Sequence, residues 1–141
     1  MNKTHTQVSL TLESAQFLAQ CAINKGCEIG INMNVVVVDI AGNSLVSLRQ
    51  PGAPLPALDF ARKKAFTAVC YGWPTDKWNC ILADRPVITA GLAQHENIAM
   101  FGGGLPITLD GQVVGAIGVA GGKVDDDILC AKTALDAFDL L

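Results

Sequence analysis

Between Thr11 and Gly30 the apolar residues Leu12, Ala15, Leu18, Ala19, Ala22 and Ile23 recur every three or four positions, the spacing of one face of an α-helix. Thr11 has the side chain of an N-cap, Glu13 meets the helix dipole in the first turn, and Gly30 supplies a stop. The period then changes. Asn34 to Asp39 is a β-branched run, apolar on both faces, and it predicts a strand covered from both sides. Ala41-Gly42-Asn43 turns the chain, and Ser44 to Arg49 returns as the second strand of a hairpin. Asp39 is expected to close that turn toward Gly42 and Asn43, because an unpaired carboxylate ending a buried strand is costly.

Pro51 to Pro56 is a proline-rich connection, after which Leu58, Ala61, Ala65, Ala68 and Val69 mark a second helix. Trp73-Pro74 breaks it, and Thr75 is placed to cap a short helix reaching about Leu82. Ala83 to Met100 has weak periodicity, interrupted by Pro86 and Gly91, and is expected to be irregular. Phe101 to Ile107 is a glycine bend leading into a short strand. The Asp110-Gly111 turn joins it to a long strand, Gln112 to Ala120. Gly121-Gly122 ends that strand, and Asp125 to Phe138 forms a last helix with Ile128, Ala131, Leu135 and Phe138 on one face. Strands that arrive as hairpins, without βαβ crossovers, imply an α+β domain: an antiparallel sheet with helices packed on it.

The 141 residues suffice for one domain, residues 1–141, with a single core. Half of them are apolar, only 16% are charged, and the mean hydropathy is +0.37. A small domain this oily is expected to cover its surplus against copies of itself, as a homo-oligomer, dimer or higher. The net charge is −3, and the basic residues are scattered apart from Arg62-Lys63-Lys64, so there is no footprint for nucleic acid. Residues 1–10 lack a leader's apolar stretch, and apolar runs such as Val35 to Val38 are far too short to span a bilayer; no membrane association and a cytoplasmic location are expected. Cysteines 21, 27, 70, 80 and 130 form no CxxC pair and no cluster of zinc-site spacing. No metal site is assigned, and Cys21, Cys27 and Cys130 are expected as buried filler in helices.

The block FGGGLPITLDGQVVGAIGVAGG, residues 101–122, is similar to the signature of the GlcG/HbpS-like family, also called haem-degrading or haem-binding domains. VVVVDIAGN at 35–43 and ARKKAFTAV at 61–69, followed by Trp73-Pro74-Thr75, resemble that family's other blocks in order and spacing. The resemblance implies a profilin-like fold, a five-stranded antiparallel sheet flanked by helices, in dimers that build higher oligomers. It also implies haem as a cofactor, since some members bind it, including the C-terminal domain of a cobalamin adenosyltransferase. A haem-degrading activity is attributed to the group. Other members are encoded with glycolate or glycerol/diol utilisation genes and have no established reaction.

Against that background individual residues gain or lose interest. Lys64 falls where the family commonly has a lysine; it can hold a propionate, carboxylate or phosphate as a point charge, or lay its stem along apolar helix surface. Gly102-Gly103-Gly104 with Pro106 is either an anion nest and a close approach for a flat ligand, or a tight bend at the sheet rim. Gly115, Gly118 and Gly121 recur every third residue, which no strand requires, so another body should press on the main chain there: a helix, a second subunit or a ligand ring. Haem needs an apolar slot, an axial donor and cations for its propionates. Certain haem-binding relatives carry a histidine in the first helix, whereas residues 11–30 contain none, and the two histidines, His5 and His95, read as surface residues. Asp125-Asp126-Asp127 reads as a helix start meeting the dipole and not as a metal site. No Ser/His/Asp or Cys/His arrangement can be assembled, so no catalytic residue is assigned.

The sequence therefore points to an oligomeric binding protein for a small, flat or anionic ligand, haem or a related tetrapyrrole first. Its ligand site is expected at Lys64, Phe101, Gly102, Gly103, Gly104, Pro106, Gly118 and Gly121. The alternatives are a non-catalytic accessory protein of glycolate or glycerol/diol metabolism, and a haem-degrading enzyme.

Overall fold

Each hairpin forms where a turn signal interrupts a β-rich run. Strands β1 (Asn34–Asp39) and β2 (Ser44–Arg49) pair antiparallel. Asp39 closes their turn as expected, its Oδ1 accepting from the backbone N–H groups of Ala41 and Asn43 at 2.9 Å each. Strands β3 (Gly104–Leu109) and β4 (Gln112–Ala120) turn through Asp110 and Gly111, both at positive φ, 51° and 78°, the conformation Asp-Gly tolerates. The computed structural model describes residues 1–141, and in it the two hairpins join through β1 and β4 into one antiparallel sheet of order β2-β1-β4-β3.

The α+β arrangement is as expected, but the sheet has four strands and not the five the resemblance implied. The N-terminal segment is the stretch that comes alongside, with Leu10 N–H donating to the Val114 carbonyl at 2.9 Å and Ser9 Oγ accepting from Ile40 N–H at 3.2 Å. A single backbone bond is no ladder. Residues 1–9 are all exposed and have no alternating apolar face that a fifth strand would bury.

Helices cover both faces of the sheet. On one side lie α1 (Leu12–Glu28) and, from the other end of the chain, Val124–Asp139; these bury Leu18, Met33, Val35, Val37, Ile117, Val119 and Cys130. On the other lies α2 (Leu55–Tyr71), with Val36, Val38, Ala116 and Ala120 beneath Ala61, Ala65 and Ala68. The valines of β1 thus face two cores alternately, as their unbroken run requires. Thr11 caps α1 by accepting from Ser14 N–H at 3.2 Å, and Gly30 follows its end at φ 72°.

The connection from α2 to β3 departs from expectation. Thr75 does not cap: residues 75–77 form a 3₁₀ turn after Pro74, then α3 (Trp78–Ile81) follows, and the Thr75 hydroxyl accepts from Gly104 N–H at 2.9 Å. Residues expected to be irregular contain α4 (Pro86–Ala93). Pro86 sits in its first turn, where a missing N–H costs nothing. None of its residues is buried, so it has no apolar stripe to betray it. The final helix is α5 (Val124–Asp139). Cys130 is buried, and burial pushes its thiol up to about 11, but Cys21 is half-buried and Cys27 is exposed at the end of α1, so only one of the three expected fillers is fully enclosed. No helix is long and apolar enough to cross a membrane.

Candidate functional site

Two glycines meet in register at the middle of the α2 face, Gly118 of β4 against Gly104 of β3. The helix lies directly on them. A Cβ on Gly118 would collide with the Ala61 carbonyl oxygen and stand 2.7 Å from Ala65 N; one on Gly104 would collide with the Lys64 carbonyl oxygen and stand 2.7 Å from Thr75 Cγ2. At Gly118 the body that the glycine spacing demanded is therefore the chain's own α2, whereas at Gly115 it is the Val38 carbonyl of β1, 2.5 Å from where a Cβ would be, with Leu10 behind it. Gly121, at φ 147°, is closed in the same way by the Asn32 carbonyl, 2.7 Å from where its Cβ would be, and Gly102 by Ile128 and Val124 of α5.

Lys64 leaves α2 at this close approach and runs inward, fully buried. Its Nζ donates to the Val119 carbonyl and to Asp127 Oδ2, both at 2.9 Å, while Asp127 Oδ1 accepts from Gly122 N–H at 2.9 Å. Gly103 forms the third wall: at φ 124°, a Cβ there would stand 2.8 Å from the ammonium and 2.5 Å from the Val119 carbonyl oxygen. Lys64 thus holds a carboxylate, but one supplied by its own chain, and it does not snorkel to solvent. The pair clamps α2, the glycine bend, the end of β4 and the start of α5 at one point. Burial pushes the Lys64 pKa down, and its ion pair with Asp127 pulls the other way; burial pushes the Asp127 pKa up against the same ion pair. Taking two charges out of water costs much of what their pairing returns, so the pair positions these elements more than it stabilises them. Asp126 is the acid that caps α5, its Oδ2 accepting from Lys123 N–H at 3.1 Å.

Just outside the clamp, aromatic surface remains open. Phe101 and Phe60 meet edge to face, centroids 5.4 Å apart and planes at 62°, with 39% and 41% of their surfaces exposed. The buried Lys64 ammonium lies 4.8 Å from the Phe101 centroid. Beside Phe60, Lys63 and Arg62 both pair with Asp59 at 3.0 and 3.1 Å, leaving two cations against one carboxylate. The hydrogen bond from Lys63, opposed by partial burial and helped by Arg62, holds the Asp59 carboxyl below its ordinary pKa. Pro106 is half-buried on β3 opposite Ala116. On the β2 side of α2 an open groove of about 340 Å³ is lined by Val36, Ser44, Ser47, Leu55, Leu58, Asp59 and Arg62.

Of the residues expected at the site, Lys64, Phe101, Gly103 and Gly104 converge, Gly118 underlies them, and Gly102, Pro106 and Gly121 lie around them without reaching the aromatic surface. Sequence reasoning missed Phe60 and Asp127. An aromatic four residues before Lys64, on the same helical face, was the one signal for Phe60. Nothing in the sequence tied Asp127 to a lysine 63 positions away. His95 is exposed, and its Nδ1 accepts from Asn97 N–H at 3.1 Å; His5 is exposed in the N-terminal segment.

Residues 10–136 match the family described as haem degrading protein HbpS-like. The chain belongs to the HbpS-like family. It is 37% identical over 142 residues to a 15.0 kDa protein from the dhaT-dhaS intergenic region of Citrobacter freundii, covering all of both. It is 30% identical over 141 residues to the corrinoid adenosyltransferase PduO of Salmonella typhimurium, spanning 99% of this chain and 42% of that one. Among solved structures it resembles the DUF336 protein ORFY of Klebsiella pneumoniae with a TM-score of 0.91 and 34% identity, over 100% of this chain and 98% of that one. It resembles PduOC, solved as a heme complex, with a TM-score of 0.85 and 28% identity over 92% and 95% of the two chains.

Proposed function

We propose that this HbpS-like chain is a homo-oligomeric binding protein for a planar tetrapyrrole carrying carboxylates, with haem the first candidate. The observation that carries this reading is the exposed Phe60–Phe101 pair at the glycine bend, with Arg62 and Lys63 beside it. A flat ring laid on the face of one meets the edge of the other, and its propionates meet two cations balanced by a single carboxylate. The groove along β2 shares Asp59 and Arg62 with this face but adds only aliphatic and hydroxyl groups and no ring, so it suits such a ligand less well. The likeness to PduOC, whose structure is a heme complex, supports the same ligand class. Lys64, Gly103 and Gly104 serve by placing Phe101 beside Phe60, and Gly118 by seating α2. Oligomer formation belongs to this reading because Val87 and Ile88 of α4 and Leu55 of α2 stand 84%, 48% and 67% exposed. No catalytic step is part of this reading.

A second reading, a non-catalytic accessory protein of glycerol or diol metabolism, is favoured by the PduO and dhaT-dhaS relatives. One titration separates the two. Hemin added to the purified protein is expected to give a saturable Soret shift at one equivalent per chain, and light scattering on the same sample a mass of at least two chains. Absence of a saturable shift would remove the tetrapyrrole reading and leave the accessory one.

A further inference from the structure

Given a planar ligand on the Phe60–Phe101 face, on which this step rests, we infer that the protein grips the macrocycle by its faces and carboxylates and gives its central metal no bond from this chain. The ligand class is then the tetrapyrrole dicarboxylate as such, metallated or metal-free.

An axial bond requires a histidine, cysteine, methionine or tyrosine held over the ring centre. Met1 lies in the exposed N-terminal segment. His95 is the donor that comes near the face, since Asn97, whose N–H it accepts, in turn accepts from Arg62 at 3.0 Å; its ring is turned the wrong way for a metal, and the other donors lie elsewhere. His95 accepts a hydrogen bond at Nδ1, so its neutral ring carries its proton on Nε2. A metal-bound histidine has the reverse arrangement, donating its second N–H and leaving the ligating nitrogen bare. Residues Thr6 to Val8, next to His5, lie by Ile40, Gln112 and Val113, toward the far end of β4 and roughly 17 Å along the strand from Gly118. Cys21, Cys27 and Cys130 are on α1 and α5, across the sheet. Cys70 is on α2 but about 15 Å along the helix from Phe60, and Cys80 is on the exposed side of α3. Met33 is fully buried in the α1–α5 core, while Met100 lines a cavity with Trp78, Leu82 and Thr89. Tyr71 packs on Trp73 and Trp78.

What the face does present is ring surface and cations. Phe60 and Phe101 are partly exposed and meet edge to face, and Lys63 and Arg62 are surface ion-paired, so a propionate can exchange with Asp59 for either of them at little cost. Neither group discriminates a metallated ring from a bare one. This chain therefore fits the organic part of haem and does not fit its iron.

The experiment titrates the intact protein in parallel with hemin, followed by absorption, and with metal-free protoporphyrin IX, followed by fluorescence. The expected result is dissociation constants that agree within about threefold, a high-spin hemin spectrum, and unchanged hemin affinity in His95→Ala. Hemin binding at least tenfold tighter than protoporphyrin, or a low-spin six-coordinate spectrum, would overturn the inference while leaving the tetrapyrrole reading intact. Binding of neither would overturn both.

Discussion

Gly118→Ala lowers the stability of the folded chain by about 3 kcal/mol or more, the upper end of what overpacking costs. The added methyl meets the Ala61 carbonyl and Ala65 N, backbone atoms on the helix itself, so no side chain can rotate away and α2 must lift from β4. Native domains hold only about 5–15 kcal/mol in total, and a loss of this size lowers the melting temperature by roughly 10 °C. Gly91→Ala is the control, because nothing lies within 4 Å of a Cβ there and the residue sits inside α4. It is expected to be neutral or to stabilise by up to about 1 kcal/mol. Equal melting temperatures for the two variants would mean that α2 does not rest on the glycine backbone.

Breaking the buried ion pair from one side is the second large effect. Lys64→Met leaves Asp127 charged and enclosed, and Asp127→Leu does the same to Lys64; each is expected to cost about 3–5 kcal/mol. The double variant Lys64→Met/Asp127→Leu removes both charges and is expected to cost less than the sum by at least about 2 kcal/mol. Recovery stays incomplete because the Val119 carbonyl and the Gly122 N–H lose their partners. Denaturant unfolding of the four proteins gives the coupling. Strict additivity would show that the two side chains do not share one interaction.

Elements whose signal is local were legible in the sequence. The Thr11 cap, the Asp39 turn, the Asp110-Gly111 hairpin and the doubly covered β1 each depend on residues within a few positions of one another. The glycines of β4 also announced that something must press on the strand, although not that it would be α2 at Gly118 and the Val38 carbonyl at Gly115. The rest depends on contacts that span the chain or on faces left uncovered. The partnership of Lys64 with Asp127 exists only once α2 and α5 are folded onto the same sheet end. Helix α4 went unread because its apolar residues face outward and give no buried stripe. The fifth strand came from the family resemblance; residues 1–9 lack the alternation to form one. At the candidate site, Phe101 was legible beside its glycines, whereas Phe60 had only its spacing from Lys64 and meets Phe101 once α2 lies on the bend.

The role assigned to the aromatic pair is tested most directly by hemin affinity in Phe60→Ala/Phe101→Ala. Both rings are about two-fifths exposed and outside the two apolar cores, so the variant is expected to keep its circular dichroism and most of its thermal stability. Its hemin dissociation constant is expected to rise by about tenfold or more, the loss of two ring contacts. An affinity within twofold of the unmodified protein, with the fold intact, would contradict the account and move the ligand to another surface.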